Sequence, residues 1–269
     1  MSPIVRRLIG PGVILSTFIG AWYALAYGIE NNFSPISGKA LVLPPPHRMF
    51  EGVTEAVRSD VITASWITFT TASLGLIIAT IVAWSLALVM AQAKWLESSF
   101  WPFLVALQAV PIVALVPLII QIVGVNNKAR VLVVVLIALF PLVSTAIDGL
   151  KRVPTAQEDL FRLYGANKIE TFLKLRIPNA IPFALSGVRV SAGLSVVGAV
   201  VADFFFARGD LGLGRVITEY FQSTQPGPMI LASAAAALLG GLFFSLSYLL
   251  QTKLNARWSP QISLQKSVD

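Results

Sequence analysis

From Val61 to Ala93 the chain carries no charged side chain. At about 1.5 Å per helical residue such a run crosses a hydrocarbon layer of roughly 30 Å with length to spare, and it does not stand alone. Leu8 to Ile29 and Val131 to Ile147 are also uncharged, Phe100 to Val123 and Met229 to Leu250 read the same way, and Ile181 to Phe206 interrupts its apolar text only with Arg189 and Asp203. Six membrane spans are the expectation. A chain that is 56% hydrophobic and 12% charged fits a bilayer better than water.

The net charge of +7 does not point to nucleic acid, because the 20 Lys and Arg are scattered between the apolar spans and not gathered on a polar domain. With both termini inside, 12 of them fall on the inner side and 7 on the outer, with Arg189 in the membrane. That bias orients the bundle with both ends cytoplasmic. The first run, preceded by Arg6 and Arg7, lacks a small-residue cleavage site and reads as a retained helix. With no cysteine and a single histidine, His47, the sequence offers no thiolate nucleophile, disulfide or His/Cys metal cluster.

Between the first two spans, residues 30 to 60 mix charges with Pro44-Pro45-Pro46 and read as an external segment, where Met49, Phe50, Val53 and Val57 recur at the spacing of a short amphipathic helix. Span three holds Pro111, Pro117, Gln108 and Gln121, so a kink or break is expected near mid-membrane. Polar groups at that depth suit the lining of a transport path, the alternative being that Gln108 bonds a neighbouring helix. Arg189 is expected to snorkel to the cytoplasmic headgroups or to pair with another helix, and Asp203 to lie toward the external mouth. Gly240-Gly241 is the expected close-packing point of span six.

The island Val153 to Pro182 departs from this apolar text. Thr155 with Glu158, and Asn167 with Glu170, each have capping-box spacing, so two short helices are expected. Gly165 would supply the turn between them, Pro178 would close the second, and Pro182 would enter the next span. Leu160, Phe161 and Tyr164 share one helical stripe, and Ile169, Phe172 and Leu173 the next, so each stripe needs a packing partner. That partner is either the chain's own bundle or another protein.

Asp159, Leu160 and Phe161, then Gly165 six residues after Asp159, then Ile177-Pro178 about a dozen residues on, resemble the coupling loop of ATP-binding-cassette importer permeases. Asp159 stands where that family has Glu, and Leu160 and Phe161 where it has alanines. Such bulkier versions, and the text from Gly187 to Phe205, are similar to the nitrate/sulfonate/taurine-type subgroup. The resemblance covers most of Asp60 to Leu250.

It implies an all-α integral membrane fold of about six helices, the type I importer permease fold. Residues 1–60 would form a first helix and external segment, 61–252 the core permease with its coupling loop at 153–178, and 253–269 a cytoplasmic tail. Asp159, Leu160, Phe161, Tyr164, Gly165, Ala166, Asn167 and Pro178 would couple to the ATPase, and Gln108, Gln121, Arg189 and Asp203 would belong to the translocation path. The implied partners are ABC ATPase subunits carrying the ATP and magnesium, a second permease copy, an external or periplasmic substrate-binding protein and membrane lipid, in a bacterial cytoplasmic membrane. No cofactor is expected on this chain. The solutes left open are nitrate, bicarbonate, a sulfonate such as taurine, and a thiamine or riboflavin precursor.

The residues themselves agree that no nucleotide motor is built in. A phosphate-binding loop needs Gly, four residues, then Gly-Lys and Ser or Thr, and Gly38-Lys39 fails because Phe33 and Ala40 occupy the other positions. Gly209 to Gly214 is glycine-rich but follows a membrane helix, and reads as an external turn. A stand-alone channel or an intramembrane enzyme is the competing class. It would need a charged ring or a clustered acid, base and nucleophile inside the spans, and the text shows neither.

Overall fold

The computed structural model describes residues 3–32, 45–49, 51–206 and 211–258. The expectations for residues 33–44, Gly38-Lys39, Phe50, residues 207–210 and the tail beyond 258 lie outside these. Ten α-helices follow one another among the described residues: α1 (Pro3–Asn32), α2 (Glu55–Met90), α3 (Lys94–Ala109), α4 (Ile112–Val123), α5 (Asn127–Lys151), α6 (Thr155–Leu163), α7 (Lys168–Thr171), α8 (Ile177–Asp203), α9 (Leu213–Gln222) and α10 (Pro226–Trp258).

Four helical stretches, α2, α5, Lys168–Asp203 and α10, are long and apolar enough to cross a membrane. α3 and α4 pass only as a pair, bent by 101°. That bend is the break expected in span three, and it falls at Pro111, the residue preceding α4, whereas Pro117 is absorbed inside α4. α1 is helical as expected, and continuous through the uncharged run Leu8 to Ile29. It meets the short 3₁₀ turn Pro46–Arg48, where Tyr23 stacks on His47.

The core is the packing of α5 on α8, flanked by α2 and α10. Its seams are built from small residues, so that backbones approach closely without a hydrophobic gradient to drive them. Ala72, Ala79, Ala83 and Ala87 of α2 and Ala192 and Ala199 of α8 are essentially fully buried. A Cβ on Gly75 would collide with Val134, one on Gly187 with Thr145, and one on Gly149 would lie 2.9 Å from the Ala180 backbone. These are the tight crossings. Gly240 and Gly241 are not: a Cβ on Gly240 would meet only Val196 at 4.0 Å, and one on Gly241 would meet nothing within 4 Å. Large apolar residues on the opposite faces, among them Ile62, Ile81, Phe103, Ile122 and Leu238, are exposed, as a bilayer requires.

Three local expectations are corrected. The amphipathic helix through Met49 and Val57 does not form as a unit, because Gly52 takes a φ of +80° and Thr54 caps a new helix with its side chain accepting from the Val57 amide. Val57 belongs to the first turns of α2. Span four is longer than Val131 to Ile147, since Lys128, Arg130, Asp148 and Lys151 are all helical. The turn expected before α10 contains α9, an amphipathic helix that buries Leu213 and Val216 against Val57, Val61, Ala64 and Ala232. The 3–4 spacing of Leu213, Val216, Ile217 and Tyr220 carries that signal.

Candidate functional site

At one end of the bundle α6 and α7 form an elbow. α6 begins at Pro154 and ends in a Schellman cap, with the Ala166 amide bonded to the Phe161 carbonyl and the Gly165 amide to the Arg162 carbonyl. Gly165 has a φ of +72°, and a Cβ there would meet no neighbour, so its glycine is demanded by backbone conformation and not by space. Asn167 then opens α7 with a complete capping box, its side chain accepting from the Glu170 amide at 2.8 Å while the Glu170 carboxylate accepts from the Asn167 amide at 3.0 Å. The matching box at Thr155 does not form: Pro154 holds the N-cap position and Thr155 is already inside the helix. Glu158 turns instead to Arg176, 2.9 Å away.

Pro178 does not close α7. The Ile177 amide bonds five residues back to the Phe172 carbonyl, so Phe172–Arg176 is a π-helical turn that carries α7 into α8. Pro178 lies in the first turn after it, where a missing amide costs little. Lys168–Asp203 is thus one 36-residue rod. Beside Pro178, Asn179 donates to the carbonyls of Gly149 at 3.1 Å and Arg152 at 2.9 Å, satisfying the open end of α5. Lys151 pairs with Glu97, tying α5 to the start of α3.

No residue of α6 is buried. Leu160, Leu163, Tyr164, Ile169 and Leu173 stand exposed together on the elbow, with Leu163 at 85% and Tyr164 at 83%. Leu160, Phe161, Tyr164, Gly165 and Ala166 come together around a cleft of about 340 Å³. Phe161 is half-buried and Phe172 packs on the bundle core, so the outward apolar set differs from the expected stripes by these two and gains Leu163. Asp159 is exposed beside Arg162 at 3.9 Å. A second cleft of about 500 Å³ separates the elbow from the end of α2, between Gln92 and Arg176.

At the other end of the bundle Asp203, the last residue of α8, is buried against three other helices. Arg130 of α5 brings Nε to 3.3 Å from Oδ1, with both side chains nearly inaccessible. The Thr68 hydroxyl of α2 reaches Oδ2 at 3.5 Å and itself accepts the Leu213 amide at 2.9 Å, while the Gly214 amide points at the carboxylate. Arg130 lies 4.8 Å over the Phe206 ring. A Cβ on Gly212 would overlap the Asp203 carboxylate, and one on Gly214 would overlap the Val200 carbonyl. These glycines let the α9 backbone close on a buried acid. Nearby, the Tyr220 hydroxyl reaches Asp60 at 3.5 Å, and burial together with that carboxylate pushes its phenol above the usual range.

The four path residues do not converge. Gln108 and Gln121 are exposed on α3 and α4, and Asp203 sits in the ion pair just described. Arg189 lies in the middle of α8 with its guanidinium 4.4 Å from the centre of the Phe244 ring and 4.6 Å from that of Tyr248. It meets α10 through ring faces.

Small-residue seams, a broken span and several helices long and apolar enough to cross a bilayer define a multi-pass membrane protein. The chain belongs to the binding-protein-dependent transport system inner membrane component family, which it matches over residues 75–260. It is 31% identical over 211 residues to the formylaminopyrimidine transport permease protein of Halalkalibacterium halodurans, covering 77% of this chain and 82% of that one. It is 32% identical to the riboflavin transport system permease protein of Chloroflexus aurantiacus over 62% of each chain, and 23% identical to a nitrate import permease protein of Synechocystis over 87% of this chain and 84% of that one. The inward-facing methionine ABC transporter MetNI shares the fold, with a TM-score of 0.56 at 16% identity over 73% of this chain and 98% of the other.

Proposed function

We propose that the elbow is the docking element for a separate ATPase subunit, and that this permease, paired with a second copy, moves a small solute inward across a bacterial cytoplasmic membrane as that partner hydrolyses ATP. The observation that carries the reading is the exposed set Leu160, Leu163, Tyr164, Ile169 and Leu173 on helices that bury almost nothing of their own. Such a patch on a rigid turn fits a groove of another protein. ATP and magnesium would be held by the partner.

The elbow is built to transmit displacement. α7 passes through the π turn into α8 without a break, so a push on it acts on a rod of about 54 Å. The Glu158 to Arg176 pair ties α6 to the same rod, and the far end carries Asp203, bonded to α5 and α2. Approach of two ATPases on binding ATP would move two elbows together and tip each rod, switching access between the two sides. An external binding protein would deliver solute to the α9 end. Both termini would be cytoplasmic.

Gly165→Val tests this. The branched side chain opposes a positive φ, so the elbow bends while the bundle stays intact. Proteoliposomes holding the variant with its ATPase should still hydrolyse ATP and lose most uptake. Normal uptake would remove the reading.

A further inference from the structure

The cleft between the elbow and the end of α2 carries a charge pattern that the docking face does not share. It encloses about 500 Å³, within the range of small-molecule sites. Three basic residues, Arg162, Lys168 and Arg176, line it with a single acid, Glu158. Glu158 is taken by Arg176 at 2.9 Å, and Arg162 keeps only a loose 3.9 Å contact with Asp159. Lys168 forms no ion pair or hydrogen bond through its side chain among the described residues. Two positive charges thus face a cleft whose one carboxylate is already spent. The cleft around Leu160 and Tyr164, by contrast, holds one base, Lys174, and pairs it with Glu170 at 3.5 Å.

Position narrows the kind of anion that fits. One wall is Ala91 and Gln92, directly after α2, and Arg176 across from them directly precedes α8. α2 and the rod that contains α8 are both long and apolar enough to cross a membrane, so the cleft lies at the level where two spans leave the hydrocarbon. Lys94 and Trp95, both exposed, follow at once, and these are residue types that anchor at a headgroup layer. Phosphates of the bilayer's own lipids occupy that layer. Ala91 and Phe172 set apolar surface beside the cations, which suits a charged head on an apolar stem better than a fully hydrated ion.

We propose that this cleft is a binding site for the phosphate headgroup of an anionic phospholipid, held by Arg162 and Lys168. Arg162 offers a planar fork of donors and Lys168 a point charge, together complementary to a phosphodiester. Among the described residues no hydrogen bond or ion pair joins α6 or α7 to the end of α2, so a headgroup seated there is the polar link between the elbow and that span. The site goes beyond the permease reading and stands without it, since no ATPase enters the argument.

The test is lipid binding to the full-length permease, delipidated in neutral detergent and followed by native mass spectrometry as phosphatidylglycerol or phosphatidylcholine is added. The wild type should hold one phosphatidylglycerol per chain about tenfold more tightly than phosphatidylcholine. Arg162→Gln combined with Lys168→Gln should abolish that preference, and because both side chains are exposed the unfolding midpoint should not move. Arg162→Lys with Lys168→Arg should keep the preference, as should Lys128→Gln, which removes a charge at the other end of the bundle. Equal affinity for the two lipids, or a preference that survives the paired Gln substitutions, overturns the proposal. Displacement of bound phosphatidylglycerol by inorganic phosphate alone overturns it too, because the ligand would then be a free anion and not a lipid.

Discussion

Removing Arg130 alone should be among the most damaging single changes in the bundle. Its guanidinium and the Asp203 carboxylate are 4% and 3% exposed and 3.3 Å apart, so Arg130→Met strands a carboxylate inside the protein with only Thr68 and the Gly214 amide to hold it. Breaking a buried pair from one side costs about 3–5 kcal/mol, or roughly two to four powers of ten in an unfolding equilibrium. Replacing both, as Arg130→Met with Asp203→Leu, leaves no orphaned charge and should recover most of the loss. The assay is reversible unfolding in mixed detergent, followed for wild type, both single variants and the double. The reasoning fails if Arg130→Met costs under about 1 kcal/mol, or if the double variant is as unstable as the two singles added together.

Leu163→Ser, at 85% exposure, should change permease stability by no more than about 0.5 kcal/mol while reducing the ATPase retained on co-purification, and equal retention would count against the docking surface. Gly75→Leu should destabilise by about 1–3 kcal/mol or more, because its side chain enters the space of Val134, whereas Gly241→Ala should be nearly neutral; the same unfolding assay ranks them, and the reverse order contradicts the packing. Asn167→Ala should cost the elbow about 1 kcal/mol of local stability, seen as faster amide exchange over Lys168–Thr171 with the bundle helices unaffected.

Local chemistry made much of the elbow legible. Gly165 and the Asn167 to Glu170 box depend on residues within one turn of each other, and both form as their spacing implies. Thr155 to Glu158 has the same spacing and fails, because Pro154 moves the helix start by one residue and Arg176, 18 residues away, takes the carboxylate. Long-range pairings were out of reach in the same way. Asp203 stood out as a charge in an apolar run, but nothing in the text joined it to Arg130 or explained Gly212 and Gly214 as the clearance for its carboxylate. Gly240-Gly241 has the look of a packing motif, yet Gly240 only touches Val196 and Gly241 faces open space, while the glycines at the tight crossings, Gly75 and Gly187, meet Val134 and Thr145 of a helix far along the chain. Proline was ambiguous too: Pro111 breaks span three, while Pro102, Pro141 and Pro182 sit inside continuous helices.

The central claim is that nucleotide binding on a partner displaces the elbow. Leu163→Cys, the sole cysteine of the permease, can carry a spin label in the assembled transporter, and the distance between the labels of the two copies measured without nucleotide and with a non-hydrolysable ATP analogue. The account expects the distance to shorten when nucleotide binds and to return on its removal. A distance unchanged by nucleotide, in a transporter that still takes up solute at the expense of ATP, would contradict it.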